Sequence, residues 1–297
     1  MIVTVTPNAA LDVTYRIPAL VAGATHRVAV AEHAGGKGVN VARILHALGE
    51  PVVATGLVGG ATGGRIRTLL DAEGVPHAFA TVDGESRRTL TVVDPSAATG
   101  FWEPGPAVPL EGWIALCHRF TELLGGARAV VLAGSLPPGV PPDAYARLTG
   151  LARAAGVPVV LDAEGEPLRH GLAAGPDLVK PNAAELAGLV GPVDDPVDAV
   201  RRLGAVAVVA SLGPDGLLAS TPDGRWRAYL PEPVGGNPTG AGDACVAALV
   251  RAPERPWPDR LRDAVALSAA AVRAPVAGTV PVDEWHRLRP SVVVEET

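Results

Sequence analysis

Lysine is almost missing from this chain. Its 297 residues include 25 Lys or Arg, of which only Lys37 and Lys180 are lysine. Asparagine is nearly as scarce and is confined to Asn8, Asn40, Asn182 and Asn237. Ordinary surface charge is therefore left to arginine. The six rare residues fall in four short segments, where a compact ammonium or a two-way amide does what Arg and Ser cannot copy. Other shortages exclude whole classes. Two cysteines, Cys117 and Cys245, make no disulfide framework, and no C-x-x-C spacing points to zinc. A net charge of −6 and a pI near 5.7 argue against nucleic-acid binding through bulk positive charge. Mean hydropathy is +0.26, yet no uncharged apolar run reaches the roughly 18 residues that suggest a membrane span. The N-terminus lacks the basic and long apolar regions of a signal peptide, so a cytoplasmic protein is expected.

What is present suffices for a large core. Hydrophobic residues are 48% and aromatics only 4%, so Ala, Val and Leu must fill it. Apolar runs at 2–6, 52–56, 129–133, 158–162, 178–180 and 206–211 read as buried strands of a parallel sheet. Helical patterns at 39–48, 64–72, 113–124, 143–155, 183–189, 241–251 and 260–273 alternate with them, several stopped by Gly. The pattern predicts a doubly wound α/β fold, mostly parallel, with helices on both faces. Two segments, 13–34 and 87–103, carry strand-like alternation without a helix between strands. They predict a small β-sheet lid over the ligand edge, or else edge hairpins of the main sheet. No internal repeat or low-complexity linker divides the chain, which reads as one domain over 1–297 with a lid.

Two glycine-rich segments can carry chemistry. Gly240-Ala-Gly-Asp243 opens a helix and leaves backbone N–H groups free at its positive end, an anion site. Asp243 there is either a helix cap or a proton acceptor. Gly35-Gly-Lys-Gly-Val-Asn40 is not a Walker loop, since no Gly precedes Gly36-Lys37 at the right spacing and no Ser or Thr follows. It still brings backbone amides and a scarce lysine to the start of a helix. Gly59–Gly64 does not fit the dinucleotide fingerprint.

Taken together, GGKGVN (35–40), GSLPPG (134–139), LVKPNAAEL (178–186), SLGPDG (211–216) and NPTGAGD (237–243) resemble the PfkB, ribokinase-like carbohydrate kinases over essentially the whole chain. TPNAALD with GGKGVNVAR is similar to the 1-phosphofructokinase and tagatose-6-phosphate kinase branch, whose members phosphorylate sugar phosphates. The resemblance implies ATP and Mg²⁺, with Asp243 as catalytic base and the amides of Gly240, Ala241 and Gly242 as the anion hole. Asp12 and Asn40 match residues that hold sugar hydroxyls, and Gly36 permits close approach. Lys180 matches a contact to the ATP phosphates, and Ser211, Gly213 and Gly216 match the nucleotide loop. Asn182 and Glu185 match the motif that organises Mg²⁺ through water, consistent with an ion that keeps several waters. Residues 270–278 should wall the adenine and hold a monovalent cation such as K⁺.

A phosphosugar brings a second anion. Lys37 and Arg87, with Arg27 or Arg88, are the available cations, and Ser135 is a hydroxyl donor. The sequence departs from relatives at Ala9 and Ala34, where they carry Pro, at Ala24, and in ACVAAL after Asp243. The leading expectation is ATP-dependent phosphorylation of fructose 1-phosphate. Fructose 6-phosphate, tagatose 6-phosphate and a free sugar are alternatives, and a catalytically silent sugar-phosphate-binding protein is the non-enzyme one. An exposed lid face predicts a homodimer through the lid.

Overall fold

Ile2–Thr6 is buried at every position and throws alternate side chains to opposite faces, Ile2 into one apolar cluster and Val3 and Val5 into the other. That strand, β1, lies inside the main sheet of a computed structural model that describes residues 1–297. There follow β2 (Ala10–Arg16), β3 (Ala29–Gly35), α1 (Lys37–Ala47), β4 (Val52–Val58), α2 (Gly60–Ala72), β5 (Ala80–Thr81), β6 (Arg87–Val93), β7 (Ala98–Trp102), α3 (Leu110–Leu124) and β8 (Ala129–Ala133). Next come α4 (Ala144–Ala154), β9 (Val159–Asp162), α5 (Gly165–Ala173), β10 (Leu178–Val179), α6 (Ala183–Val190), α7 (Pro196–Arg202) and β11 (Ala207–Ser211). The chain closes with β12 (Leu217–Thr221), β13 (Gly224–Tyr229), α8 (Ala241–Arg251), α9 (Trp257–Val272), α10 (Val282–Leu288) and β14 (Val293–Glu296).

The large sheet runs β14-β13-β12-β11-β10-β9-β8-β1-β4-β5. From β5 to β11 all neighbours are parallel, as the continuous apolar runs require. One face is covered by α1, α8 and α9 and the other by α3, α4 and α5. The antiparallel end, β12 to β14, was not among the expected strands. It follows from the short turn at Pro222-Asp223, which folds β13 back without a crossover helix.

The two irregular segments form a separate four-stranded sheet, β3-β2-β6-β7, rather than hairpins on the main one. Its central strands pair parallel, with Ala10 opposite Arg87 and Asp12 opposite Thr89. Only the ends of the 13–34 segment become strand, and residues 17–28 between them do not.

Candidate active site

Open α/β sheets place ligands beyond the carboxyl ends of their parallel strands. Here those ends deliver Asn8 after β1, Ser135 after β8, Asp162 closing β9 and Lys180 after β10. Helix α1 spans the group. A β-carbon on Gly36, which has φ +102°, would lie 2.7 Å from Thr6 Cγ2, so only glycine fits beside the end of β1. Lys37 lies in the first turn beside Gly134, and Asn40 lies one turn further on.

Asp243 sits in the first turn of α8 and is buried. Asn40 Nδ2 donates to its Oδ2 at 2.9 Å. Burial pushes the Asp243 carboxyl up to about 7, helped by the charge of Asp162 and opposed by Asn40, Lys37 and Lys180. A base that exchanges its proton near neutrality is suited to proton transfer. Gly240 begins α8 at φ +89°, and a β-carbon there would lie 3.0 Å from Ala277 Cα. Ala241 donates its N–H to Pro238 O at 3.1 Å, so of the three expected amides only those of Gly240 and Gly242 are left open, with no side chain over either.

Beneath them lies an ion cluster. Lys180 is buried, with Nζ 3.5 Å from Asp162 Oδ1, and a β-carbon on Gly242 would lie 3.6 Å from that ammonium. Lys37 Nζ donates to Asp162 Oδ1 at 3.1 Å and stands 3.7 Å from Glu185 Oε1. Burial disfavours both ammonium charges, but the neighbouring carboxylates outweigh it and hold both lysines above the usual range. Lys37 thus joins Lys180 around the Asp162 and Glu185 carboxylates, whereas Arg87, expected beside it on one anion, reaches a different wall. Asp162 went unremarked as a chemical group in the sequence, although a carboxylate ending a buried parallel strand was a usable signal.

Asn182 and Glu185 form a capping box on α6: Asn182 Oδ1 accepts from Glu185 N at 2.9 Å, and Glu185 Oε2 accepts from Asn182 N at 2.8 Å. The Asn182 oxygen is spent on the cap, which holds Glu185 and leaves its Oε1 toward Lys37. No group of three or more His, Cys, Asp or Glu side chains is gathered to cage a metal. One fixed carboxylate oxygen suits a magnesium ion that keeps its waters and is otherwise held by phosphates. Ser211 donates its backbone N–H to Pro181 O at 2.9 Å, which sets it beside Asn182. Gly213 (φ +61°) and Gly216 (φ +88°) turn the chain after it.

On the other side, Thr89 donates to Asp12 Oδ1, and burial raises the Asp12 carboxyl against the pull of Thr89 and Arg87. A β-carbon on Gly35 would overlap the Asp12 carboxyl, so the glycine makes room for it. Arg87 Nε donates to Asn8 O at 3.1 Å, and a cavity of about 480 Å³ is lined by Arg87, Asn8 and Ser135 among others. Arg88 is instead exposed and paired with Glu103, and Arg27 is exposed. A further residue went unnoticed: buried Arg43 forks onto Glu73 at 2.6 and 2.9 Å and donates to Ala277 O at 2.9 Å. It ties α1 to the loop under Gly240.

The pattern of the pfkB family carbohydrate kinases matches residues 10–284. Phosphofructokinase-2 from Escherichia coli in complex with potassium superposes with a TM-score of 0.91 at 31% identity, covering 97% of this chain and 98% of that one. The same enzyme in complex with fructose-6-phosphate superposes at 0.88 with 32% identity and the same coverage. A structure described as a possible 1-phosphofructokinase from Thermotoga maritima gives 0.90 at 27% identity, covering 100% of this chain and 99% of that one. The chain belongs to the pfkB family of carbohydrate kinases.

Proposed function

We propose that this protein transfers the γ-phosphoryl group of ATP to a primary hydroxyl of a fructose phosphate, giving fructose 1,6-bisphosphate. The observation that carries the reading is the buried Asp243, hydrogen-bonded to Asn40 at the amide-rich start of α8. Its carboxylate takes the proton of the sugar hydroxyl as that oxygen attacks the γ-phosphorus and the bond to the bridging oxygen of ADP breaks. The open amides of Gly240 and Gly242, with Lys180 and Lys37 nearby, face the charge of the transferring group. A magnesium ion held through water by Glu185 would neutralise the triphosphate. Asp12 and Asn40 hold sugar hydroxyls, and Ser211, Gly213 and Gly216 border the nucleotide. A potassium ion, as in the E. coli neighbour, is proposed at residues 270–278, where α9 ends.

Arg87 and Ser135 take the phosphate already on the sugar. Fructose 1-phosphate and fructose 6-phosphate each carry a phosphate at one end and a primary hydroxyl at the other, so one site accommodates either. TPNAALD and GGKGVNVAR favour fructose 1-phosphate, while a neighbour binds fructose 6-phosphate. A coupled assay of ADP release over fructose 1-phosphate, fructose 6-phosphate, tagatose 6-phosphate, fructose and ribose tests the reading. A fructose phosphate should give the highest kcat/KM. Preference for a free sugar would overturn the phosphosugar assignment, and binding without turnover would favour the silent binding protein. The exposed Val30, Phe101 and Trp102 of the small sheet support a homodimer through the lid, and sedimentation of Trp102→Ser should show monomer.

A further inference from the structure

Asn8 is a scarce carboxamide to which the proposed reaction gives no task. It lies in the turn just past β1 and Pro7 and is 4% exposed. Its Nδ2 donates to Pro104 O at 3.0 Å and to Ser135 Oγ at 3.2 Å. A carbonyl only accepts, so Pro104 fixes which end of the amide is nitrogen, and that nitrogen then meets Ser135. Asn8 Oδ1 is buried with no partner, and a β-carbon on Gly105 would lie 2.4 Å from it. The backbone carbonyl of Asn8 accepts Arg87 Nε at 3.1 Å.

These bonds decide how the cavity greets a ligand. A hydroxyl that accepts from an amide N–H keeps its own hydrogen free to donate. Arg87, tied down through Nε, keeps its two terminal nitrogens. Pro104, Leu136 and Glu166 are also in the wall, and Glu166 stands 3.5 Å from His170. We propose that Asn8 is a positioning residue that sets Ser135 and Arg87 as paired donors to a phosphate monoester, and through Pro104 fastens the end of the lid to that anion site. The inference rests on the phosphosugar reading and adds a residue to it.

The near-isosteric Asn8→Asp tests it, because an acceptor in place of the N–H₂ draws the Ser135 hydrogen away from the cavity and adds a negative charge beside it. For whichever fructose phosphate wild type prefers, kcat/KM should fall about 10- to 100-fold, mainly through KM, with KM for ATP within about twofold. Asn8→Ala, which removes the donor without adding charge, should lose less, about 5- to 20-fold. In the Asn8→Asp background, Ser135→Ala should add almost nothing, since the two act as one unit. Additive losses, or equal losses in KM for sugar phosphate and ATP, would overturn the assignment. A second readout needs no turnover: with a non-hydrolysable ATP analogue saturating the amide site of α8, inorganic phosphate should raise the Tm of wild type and leave Asn8→Asp unmoved. Equal shifts in both would reject the anion site. A wild type that turns over no sugar phosphate, yet shows the phosphate shift lost in Asn8→Asp, would reject the phosphosugar reading and keep the site.

Discussion

Asn40 and Asp243 stand 203 residues apart in the chain and meet in a buried hydrogen bond of 2.9 Å. The bond joins the helix that follows β3 to the helix that carries the amide-rich turn, and in the proposed reaction it brings sugar and nucleotide to one proton-transfer site. It also favours the charged form of a carboxyl that burial pushes toward neutrality.

Asp243→Asn should keep the fold and lose about 10²–10⁴-fold in kcat, the size expected for removing a general base, measured by ADP release. Turnover within threefold of wild type would make Asp243 a cap only. In wild type, kcat/KM should rise with pH through about 7 as the carboxyl ionises. Stability runs the other way. The native carboxyl titrates near 7 and the unfolded one at its ordinary 3.8, so between these values the folded state binds more protons and loses stability as pH rises. Melting curves should therefore place Asp243→Asn above wild type at pH 8, by roughly 5 °C, with the gap closing toward pH 4.

Asn40→Ala removes the bond that favours the Asp243 carboxylate. The acid limb of the pH–rate profile should move to higher pH, so the loss of kcat/KM at pH 6 exceeds that at pH 9. A parallel loss at both values would confine Asn40 to sugar binding.

Glu185→Gln leaves an oxygen able to accept the Asn182 N–H, so the capping box survives and Tm should change by no more than about 2 °C. The Mg²⁺ concentration for half-maximal rate should rise severalfold while KM for the sugar phosphate holds. A metal titration that superimposes on wild type would remove Glu185 from the metal.

Arg43→Met breaks a buried fork onto Glu73 and frees the Ala277 carbonyl. Because Glu73 is partly exposed, the loss should be about 2–3 kcal/mol, or roughly 5–10 °C in Tm. KM for ATP should rise as well, since Ala277 packs under Gly240. Arg43→Lys, with charge but no fork, should recover only part of either.

Much of this was legible where one physical signal dominates. Residues 241–251 read as a helix and form one with those bounds, because the glycines before it and the small apolar residues within it agree. The parallel strands read as continuous apolar runs because both faces are covered. By contrast, α5 (Gly165–Ala173) and α7 (Pro196–Arg202) are short, with too few turns to stand out in sequence, and β13 alternates Arg with Trp and Ala on a half-covered strand. At the site, glycine-framed residues such as Lys37 and Asp243 were visible in their motifs. Asp162 and Arg43 were not, because their meaning lies in partners distant in sequence: Lys37 stands 125 residues from Asp162.

The order of strands in the large sheet has a bearing on synthesis. Asp12, Asn40, Arg87 and Ser135 all leave the ribosome before Lys180, Ser211 and Asp243 exist. Until α8 arrives, the apolar flank of α1 that packs against it has nothing to cover it, since the fully buried Val246 and Leu249 come from that late helix. Pairings of such long range are slow to form and leave nascent apolar surface open to association. The half that carries Asp12 and Arg87 thus waits, incomplete and adhesive, for the half that carries Lys180 and Asp243.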